Sequence, residues 1–275
     1  MSRVSALFLY PVKSCRGLTV TAAEMDELGL VGDRRFLVVD ETGKFLTQRT
    51  HARMARIVTA LDAERLTLSA EGAGSVAVVR APDPAALLRN VSIWKHSDLR
   101  AEDCGPAAAA WLSDFLGLRC ALVRIGPAFR RDVLKKAGRP GDCFSFADGS
   151  PVLVIGEASL AQLNDRILEN GGEPVPMNRF RPNMVVSDAA PFAEDEWPRV
   201  RVGDVVLRAA GKSIRCIMTT TDQLTGERGK EPLRTLATFR RAETDPTAVC
   251  FGANFINESK RGEVRVGDAV EVLDR

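Results

Sequence analysis

The sequence predicts a strand-rich α+β protein with two domains. Short runs of β-branched and aromatic residues recur along the chain, while only three stretches have the composition and spacing of helices. A chain of 275 residues is longer than a single hydrophobic core usually supports. Hydrophobic residues make up 45% and charged residues 27% of the chain, an ordinary composition for a soluble globular protein.

Residues 1–120 are predicted to form a first domain made mostly of strands. The strand-like runs are VSALFLY, LTVTAAEM, RRFLVVD, KFLTQR, RLTLSA and SVAVVR. Between RRFLVVD and KFLTQR, ETG supplies a glycine for a tight hairpin turn. GPAAAAWLSDFLG predicts a helix, with Pro106 in its first turn and Gly117 at its end.

Residues 121–275 are predicted to form a second domain, a strand-rich barrel with helices on its outside. PVLVIG and NMVVS are apolar strands, and EASLAQLNDRILEN and EPLRTLATFRRA are helices. VRVGDVVLRA and VRVGDAVEVL each predict a strand, a Gly-Asp turn and a second strand, as a curled sheet requires at its corners. We interpret their likeness as shared turn chemistry rather than duplication.

Composition and charge exclude several classes of protein. A net charge of +2 favours neither nucleic acid nor membrane as a partner. The apolar run near the start ends at Tyr10-Pro11, too short for a signal peptide or a membrane span, so we expect a cytoplasmic protein. Six cysteines without a CxxC pair exclude zinc-finger and iron–sulfur spacings, and two histidines exclude a multi-histidine metal site.

Cys216 is the first candidate functional residue. It follows Arg215 at the end of a strand-like run and precedes three threonines and an aspartate. A neighbouring cation stabilises a thiolate, so Cys216 is a candidate reactive thiol or metal ligand. A small buried hydrophobe remains the alternative, because most unpaired cysteines have that role.

Several loops carry groups that bind anions. Arg179, Arg181 and Asn183 surround Pro182 just before a strand, and the proline is expected to keep Arg181 extended. Their guanidinium groups suit two-point binding of a phosphate or carboxylate. Internal salt bridges are the alternative.

Three further segments add polar and basic groups. YPVKSCRG presents a lysine, a serine and an arginine after the first strand, GDRRF presents a basic pair, and FADGSP presents a polar turn. The basic segment 127–146 is either a solvated surface loop or a mobile flap over a ligand. Four anion-binding loops and one isolated cysteine together predict an anionic ligand with a thiol partner.

The order of these motifs resembles the MOSC family. YPVKSCRG, GDRRF, DCG before the alanine-rich helix, FADGSP, NRFRPN, RCIMTTTDQLTG and FGANF span nearly the whole chain. The pattern is most similar to proteins with an N-terminal MOSC β-barrel domain before the MOSC domain, the group of the mitochondrial amidoxime-reducing component and its bacterial relatives. The resemblance implies a MOSC β-barrel core with peripheral helices plus an N-terminal β-barrel-like domain.

The resemblance also implies a molybdenum cofactor (Mo-molybdopterin) between the two domains. The family's cysteine ligand of molybdenum falls on Cys216, and the family's catalytic aspartate near the metal, which precedes a polar pair, falls on Asp148. The implied cofactor contacts are Lys13, Ser14, Arg34, Ser150, Arg181, Asn183, Arg215 and Thr219. One position departs from the family, since Gly149 stands where the mitochondrial proteins have threonine, which removes one expected hydroxyl contact.

Two functions are compatible with this resemblance. In the first, the protein is a molybdenum-dependent oxidoreductase that reduces N-hydroxylated or N-oxide small molecules, and Cys216 is a metal ligand. Its electrons are expected from a separate protein, a ferredoxin or a flavoprotein reductase, because nothing resembling a ferredoxin domain follows Leu273. In the second, Cys216 holds a persulfide or a transient ligand in a sulfur or cofactor carrier, as MOSC domains of molybdenum-cofactor sulfurases suggest.

Overall fold

The computed structural model describes residues 1–243 and 245–274, in which strands dominate over helices. The helices are α1 (Pro106–Leu116), α2 (Glu157–Glu169) and α3 (Leu233–Phe239). α1 begins at a proline and ends at Gly117, whose left-handed backbone (φ +72°) closes the last turn. The predicted strand-rich α+β class and all three predicted helices are confirmed.

The strands of the first half lie between residues 3 and 124. They are β1 (Arg3–Leu9), β2 (Leu18–Val20), β3 (Ala22–Asp26), β4 (Gly29–Leu30), β5 (Phe36–Asp40), β6 (Val58–Leu61), β7 (Arg65–Ser69), β8 (Ser75–Val79), β9 (Leu88–Ile93), β10 (His96–Asp103) and β11 (Cys120–Arg124). The strands of the second half are β12 (Val152–Gly156), β13 (Met184–Ser187), β14 (Arg199–Val202), β15 (Val205–Arg215), β16 (Val249–Asn257), β17 (Gly262–Arg265) and β18 (Val270–Leu273).

An eight-stranded sheet forms the centre of the fold, in the order β18-β14-β15-β16-β12-β13-β1-β2. β12 and β13 are parallel, joined through α2, and the other pairs are antiparallel. The sheet curls, because Arg3 in β1 also bridges to Ala269, next to the opposite edge strand. Buried residues such as Leu7, Val205 and Phe255 fill the interior of this barrel.

Smaller sheets complete the structure. They have the orders β5-β11-β10-β9, β6-β7-β8 and β17-β3-β4. Two apolar cores lie beneath the first two sheets; one includes Leu66 and Leu112, and the other includes Val39 and Phe146. β1 and β2 lie in the eight-stranded sheet, and β3 pairs with both β4 and β17 in a smaller sheet. Strands from both halves of the chain therefore share sheets. The domain boundary near residue 120 stays a prediction.

The predicted hairpin around ETG is confirmed over a short stretch, since Val39 bridges antiparallel to Phe45 and Leu46 N–H donates to the carbonyl oxygen of Val38 at 2.8 Å. The second arm of this hairpin also contacts β9, through a parallel bridge between Lys44 and Ser92. Gly43 allows this path, since a Cβ atom there would lie 2.1 Å from the carbonyl oxygen of Asn90. The chain therefore packs against β9 as well as against β5, and Arg49 lies in the turn that follows.

The two Gly-Asp repeats differ in their pairing. In the first, β14 and β15 form a hairpin with Val202 opposite Val205. In the second, β17 pairs with β3 while β18 pairs with β14, so the two strands lie in different sheets. Gly203 and Gly267 both have positive φ. The same turn sequence thus joins strands in two arrangements, which agrees with shared turn chemistry.

The basic segment 127–146 is attached to the rest of the protein at its centre. Arg131 is buried and donates a hydrogen bond to the carbonyl oxygen of Ser145 at 2.9 Å. Asp142 accepts hydrogen bonds from Arg208 at 2.6 Å and from Lys260 at 2.7 Å. These buried contacts favour a fixed surface segment over a mobile flap.

Candidate functional site

A cleft of about 120 Å³ brings most of the predicted site residues together. Its walls come from the ends of four chain segments: the turn before β12, the turn before β13, the end of β15 with the turn after it, and the first-half turns that hold Arg34 and Arg49. The predicted residues that line it are Arg34, Asp148, Ser150, Arg181, Asn183, Arg215, Cys216 and Thr219. Lys13 and Ser14 are buried without lining the cleft.

Cys216 lies at the end of β15, where the strand changes into a short 3-10 helix, Ile217–Thr220. Thr219 caps this turn, since its hydroxyl and its backbone N–H both bond to the carbonyl oxygen of Cys216, at 2.9 and 3.0 Å. The Sγ atom accepts a hydrogen bond from Nε of Arg49 at 3.2 Å. The thiol is half-buried and held by a cation from the other half of the chain.

Arg49, rather than the adjacent Arg215, is thus the cation in contact with the thiol. The Arg49 guanidinium lies over the Trp94 ring, 4.1 Å from its centroid, so a cation–π contact fixes its plane. Arg215 instead donates to the hydroxyl of Ser213 at 2.8 Å and to the carbonyl oxygen of Phe180. Sequence analysis missed Arg49, because its position next to Cys216 depends on the packing of two distant segments.

Asp148 and Lys13 form an ion pair at the edge of the cleft. The Lys13 Nζ atom lies 2.6 Å from the carboxylate of Asp148 and donates a second bond to the carbonyl oxygen of Phe146 at 2.9 Å. Trp94 Nε1 donates to the same carboxylate at 3.0 Å. Desolvation acts to raise the pKa of Asp148, but Lys13 and the hydrogen bonds outweigh it and hold that pKa below its ordinary range.

Burial has a large effect on Lys13. It lowers the pKa of the ammonium group from 10.5 to about 8, although the nearby Asp148 carboxylate opposes this change. Lys13 is therefore charged at neutral pH but close to its own titration. Its contact with Asp148, one of the cleft's lining residues, connects this group to the cleft.

The pKa of Lys13 makes the stability of the protein depend on pH. Between about pH 8 and 10.5, the unfolded chain binds more protons at this lysine than the folded chain does. The free energy of unfolding is therefore expected to increase as pH rises through this window, so the folded protein becomes more stable. Urea titrations of the cofactor-free protein and of Lys13→Met at about pH 7, 9 and 10 measure it. Parallel pH curves for the two proteins would contradict the shift.

A stack of two guanidinium groups on Tyr10 forms the floor of the site. Arg34 and Arg181 lie 4.3 and 4.2 Å from the centroid of the buried Tyr10 ring. Arg34 pairs with Asp33 at 2.7 Å and donates to the side-chain oxygen of Asn183 at 3.0 Å. Burial lowers the pKa of Arg181 to about 10 and raises the pKa of Tyr10 to about 12.

Three of the predicted site residues have strained backbones. Ser14, Arg34 and Arg181 have φ values of +66°, +48° and +57°, in the left-handed region that favours glycine. The extended conformation predicted for Arg181 from Pro182 is therefore wrong. Its carbonyl oxygen accepts a bond from Arg34 at 3.1 Å, and its ring contact with Tyr10 fixes the side chain. Strain of this kind is typical of functional sites.

The remaining predicted residues have local partners. Asn183 is buried; its side-chain oxygen accepts from Arg34 and from Leu153 N–H, and its amide nitrogen donates to the carbonyl oxygen of Phe8 at 3.3 Å, so it holds Arg34 in place. The hydroxyl of Ser150 donates to the carbonyl oxygen of Gly149 at 2.7 Å. The hydroxyl of Ser14 is buried with no partner in the structure.

The cleft has a large excess of positive charge. Five arginines and one carboxylate, Asp148, line it; the arginines are Arg34, Arg49, Arg179, Arg181 and Arg215. Arg34 pairs with Asp33 and Arg179 pairs with Asp222. Within residues 1–243 and 245–274, no carboxylate lies within ion-pair distance of the other three arginines.

Buried hydrogen-bond donors in the cleft lack acceptors. A nitrogen atom is buried without a partner in four of its arginines: Nη1 of Arg49, Nε of Arg179, Nη2 of Arg181 and Nε of Arg215. Buried polar groups are almost always hydrogen-bonded, and leaving one unpaired costs about 1–3 kcal/mol. The arrangement therefore fits an anionic ligand with several acceptor atoms, such as a phosphate or a pterin.

Protein side chains alone supply few metal ligands. In the part of the chain that the structure describes, no group of three or more His, Cys, Asp or Glu side chains is placed to hold a metal ion. All six cysteines are free thiols.

None of the described helices has the length and apolar character needed to cross a bilayer.

Two family models match the chain. The model of the MOSC N-terminal beta barrel domain matches residues 1–119, and the model of the MOSC domain matches residues 142–271. Among solved structures, the YUAD protein from Bacillus subtilis is 12% identical, covers 98% of this chain and 95% of its own, and has a TM-score of 0.40.

Curated relatives match over nearly the full length. Mitochondrial amidoxime-reducing component 1 of Mus musculus is 36% identical, over 98% of this chain and 82% of the relative. The human protein of the same name is 35% identical over the same shares. Molybdenum cofactor sulfurase of Danio rerio is 33% identical over 93% of this chain, but only 32% of that longer protein. The chain therefore belongs to the MOSC family, within the two-domain group that includes the mitochondrial amidoxime-reducing components.

Proposed function

We propose that the protein holds a molybdenum cofactor in the cleft and reduces N-hydroxylated or N-oxide small molecules. The observation that carries this proposal is a single thiol, Cys216, surrounded by buried arginine N–H groups that lack acceptors. The similarity to amidoxime-reducing components supports the reaction type, since 36% identity extends over 98% of the chain.

The residues present fit the cofactor. Arg181 and Arg215 have free buried N–H groups suited to its terminal phosphate, because planar guanidinium groups bind phosphate oxygens in pairs. Arg34 and Arg49 would contact the pterin, and Ser150 and Thr219 border the same space. Cys216 would bind molybdenum through its sulfur, a soft ligand, with the remaining ligands supplied by the cofactor itself.

When bound, the cofactor supplies the two-electron redox chemistry. The overall reaction consumes two electrons and two protons, breaks one N–O bond and releases water. Lys13 is a suitable proton source, because its pKa of about 8 lies near neutral pH and its Nζ atom donates directly to Asp148. Asp148 is half-exposed in the cleft, so its carboxylate can pass a proton from Lys13 or water to the substrate.

The electrons come from a separate protein in this proposal, a ferredoxin or a flavoprotein reductase. The substrate is a small molecule that enters beside Cys216. The half-exposed side chains of Trp94, Ile214 and Ile217 provide apolar contact surface for it near the thiol.

The test is expression in a host that makes the cofactor, followed by measurement of bound molybdenum and of amidoxime reduction with an artificial electron donor. We expect about one molybdenum atom per chain and steady turnover, since the cleft holds one thiol ligand. Protein that is folded, lacks molybdenum and shows no turnover would contradict the proposal.

A carrier of sulfur or cofactor is the second candidate, supported by the 33% identity to a molybdenum cofactor sulfurase. In that case Cys216 would hold a persulfide sulfur or give up the cofactor to an acceptor protein. Mass spectrometry of the intact chain, together with transfer of bound cofactor to a cofactor-free enzyme, distinguishes the two functions. A persulfide on Cys216 or rapid transfer without turnover favours the carrier.

A further inference from the structure

A second polar cavity lies next to the cleft. We call it the Arg16 cavity; it has a volume of about 180 Å³ and is lined by Phe8, Tyr10, Arg16, Gly17, Thr19, Asn178, Arg181, Gln223 and Leu224. Arg181 is the one lining residue that it shares with the cleft of Cys216. The cavity is therefore a separate space on another side of the same arginine.

The charge of this cavity is entirely positive. Arg16 and Arg181 line it, and none of its lining residues is acidic. Among the described residues, neither arginine has a carboxylate within ion-pair distance. Two guanidinium groups close to one space repel each other unless an anion lies between them.

Both arginines have a buried nitrogen without a partner. Arg16 donates through Nη2 to the carbonyl oxygen of Leu224 at 3.3 Å, while its Nε atom has no acceptor. Arg181 is 7% exposed and donates through Nη1 to Gln223 at 3.3 Å, while its Nη2 atom has no acceptor. Arg181 is also held by its contact with the Tyr10 ring. Each guanidinium thus retains a donor for a ligand, and the Nη2 donor of Arg181 is the one that borders the cleft as well.

The rest of the lining suits a small oxyanion. Thr19 and Asn178 provide neutral hydrogen-bonding groups beside the two cations, while the oxygen of Gln223 accepts from Arg181 and helps to position it. Gly17 lets the backbone approach the Tyr10 ring, since a Cβ atom there would lie 2.4 Å from a ring carbon. This close approach leaves the ring as one wall of the cavity.

We infer that the Arg16 cavity binds a phosphate group. A tetrahedral dianion offers acceptors to both guanidinium groups, to the Thr19 hydroxyl and to the Asn178 amide, which a singly charged halide does not. The phosphate belongs either to a free phosphate or phosphomonoester, or to the end of a cofactor that occupies the adjoining cleft. The inference itself does not depend on the redox reaction proposed above.

The test uses protein made in a host that lacks the cofactor, titrated with inorganic phosphate by calorimetry. We expect at least one phosphate per chain, because the cofactor-free cleft also offers arginine donors, and we expect one phosphate to bind at least about tenfold more weakly in Arg16→Gln, which loses a charged donor. Arg201→Gln is the matched control, because Arg201 lies on the surface in β14. The Arg201→Gln protein is expected to bind phosphate with the affinity of the wild type. No binding by the wild type, or equal binding by Arg16→Gln, overturns the inference.

A second variant tests the site even if Arg16→Gln fails to fold. Leu224 is 65% exposed beside the cavity, so Leu224→Glu adds a negative charge there without disturbing the core. This variant is also expected to bind phosphate at least about tenfold more weakly, through repulsion. Unchanged affinity in a folded Leu224→Glu protein would count against the site.

The same titration on molybdenum-loaded protein identifies the source of the phosphate. If loaded protein binds phosphate as the cofactor-free protein does, the natural ligand is a separate phosphate compound. If loading abolishes phosphate binding, the cavity receives the phosphate of the cofactor. Failure to load molybdenum would count against the proposed function and would leave the cofactor-free titration as a full test of the cavity.

Discussion

Cys216→Ala is expected to lose bound molybdenum and turnover together. Cys216 is the one cysteine that lines the cleft in the described structure, and the arginines around it bind the organic part of the cofactor in our proposal. Without the thiolate the metal loses its protein ligand, so its content should fall at least about tenfold from about one atom per chain. Elemental analysis and the amidoxime assay on the same preparation measure both quantities.

Cys104→Ala is the matched control for this variant. Cys104 is also a half-buried free thiol, but it lies outside the cleft. Its molybdenum content and turnover should equal those of the wild type. Molybdenum that remains at the wild-type level in Cys216→Ala would contradict the assignment of Cys216 as a metal ligand.

Arg49→Gln is expected to weaken molybdenum retention and turnover about 10–100-fold, the usual effect of removing a group that orients a metal ligand. Arg49 donates to the Sγ atom of Cys216 at 3.2 Å and lies flat on Trp94. Glutamine keeps a hydrogen-bond donor but has no charge and cannot form the cation–π contact. Molybdenum content after dialysis and kcat with the artificial donor give the two readouts.

Arg53→Gln provides the comparison for Arg49. Arg53 lies in the same segment and also stacks on an aromatic ring, that of Phe115 at 4.4 Å, but it does not line the cleft. Both variants should keep the wild-type unfolding temperature. Equal molybdenum retention in the two variants would contradict a role for Arg49 in positioning the Cys216 thiol.

Much of the fold could be predicted from local sequence. The helix α1 is defined by Pro106, a run of alanines and Gly117, and these same residues begin and end it in the structure. The pairing of strands was harder to predict, because it depends on which distant strand offers a free edge. β17 and β18 illustrate this, since one short turn joins them although they lie in different sheets.

The candidate site was predicted through its motifs rather than through its geometry. Arg34, Arg181 and Cys216 occur in recognisable short motifs, and the structure places all three around one cleft. The conformation of Arg181 was wrong, since Pro182 restricts the local backbone while the contacts with Tyr10 and Arg34 select the left-handed region. Tertiary contacts thus override a local preference that is worth only about 1–3 kcal/mol.

By itself, the sequence determined the strand-rich class, the three helices, the family and the thiol at residue 216. These follow from short-range patterns of hydrophobicity, turn residues and motif order. Only the tertiary structure decided that Arg49 contacts this thiol, that Lys13 lies behind Asp148, and that Arg16 opens into a second cavity. Each of these depends on side chains far apart in the chain, whose proximity is set by packing and leaves no local signal.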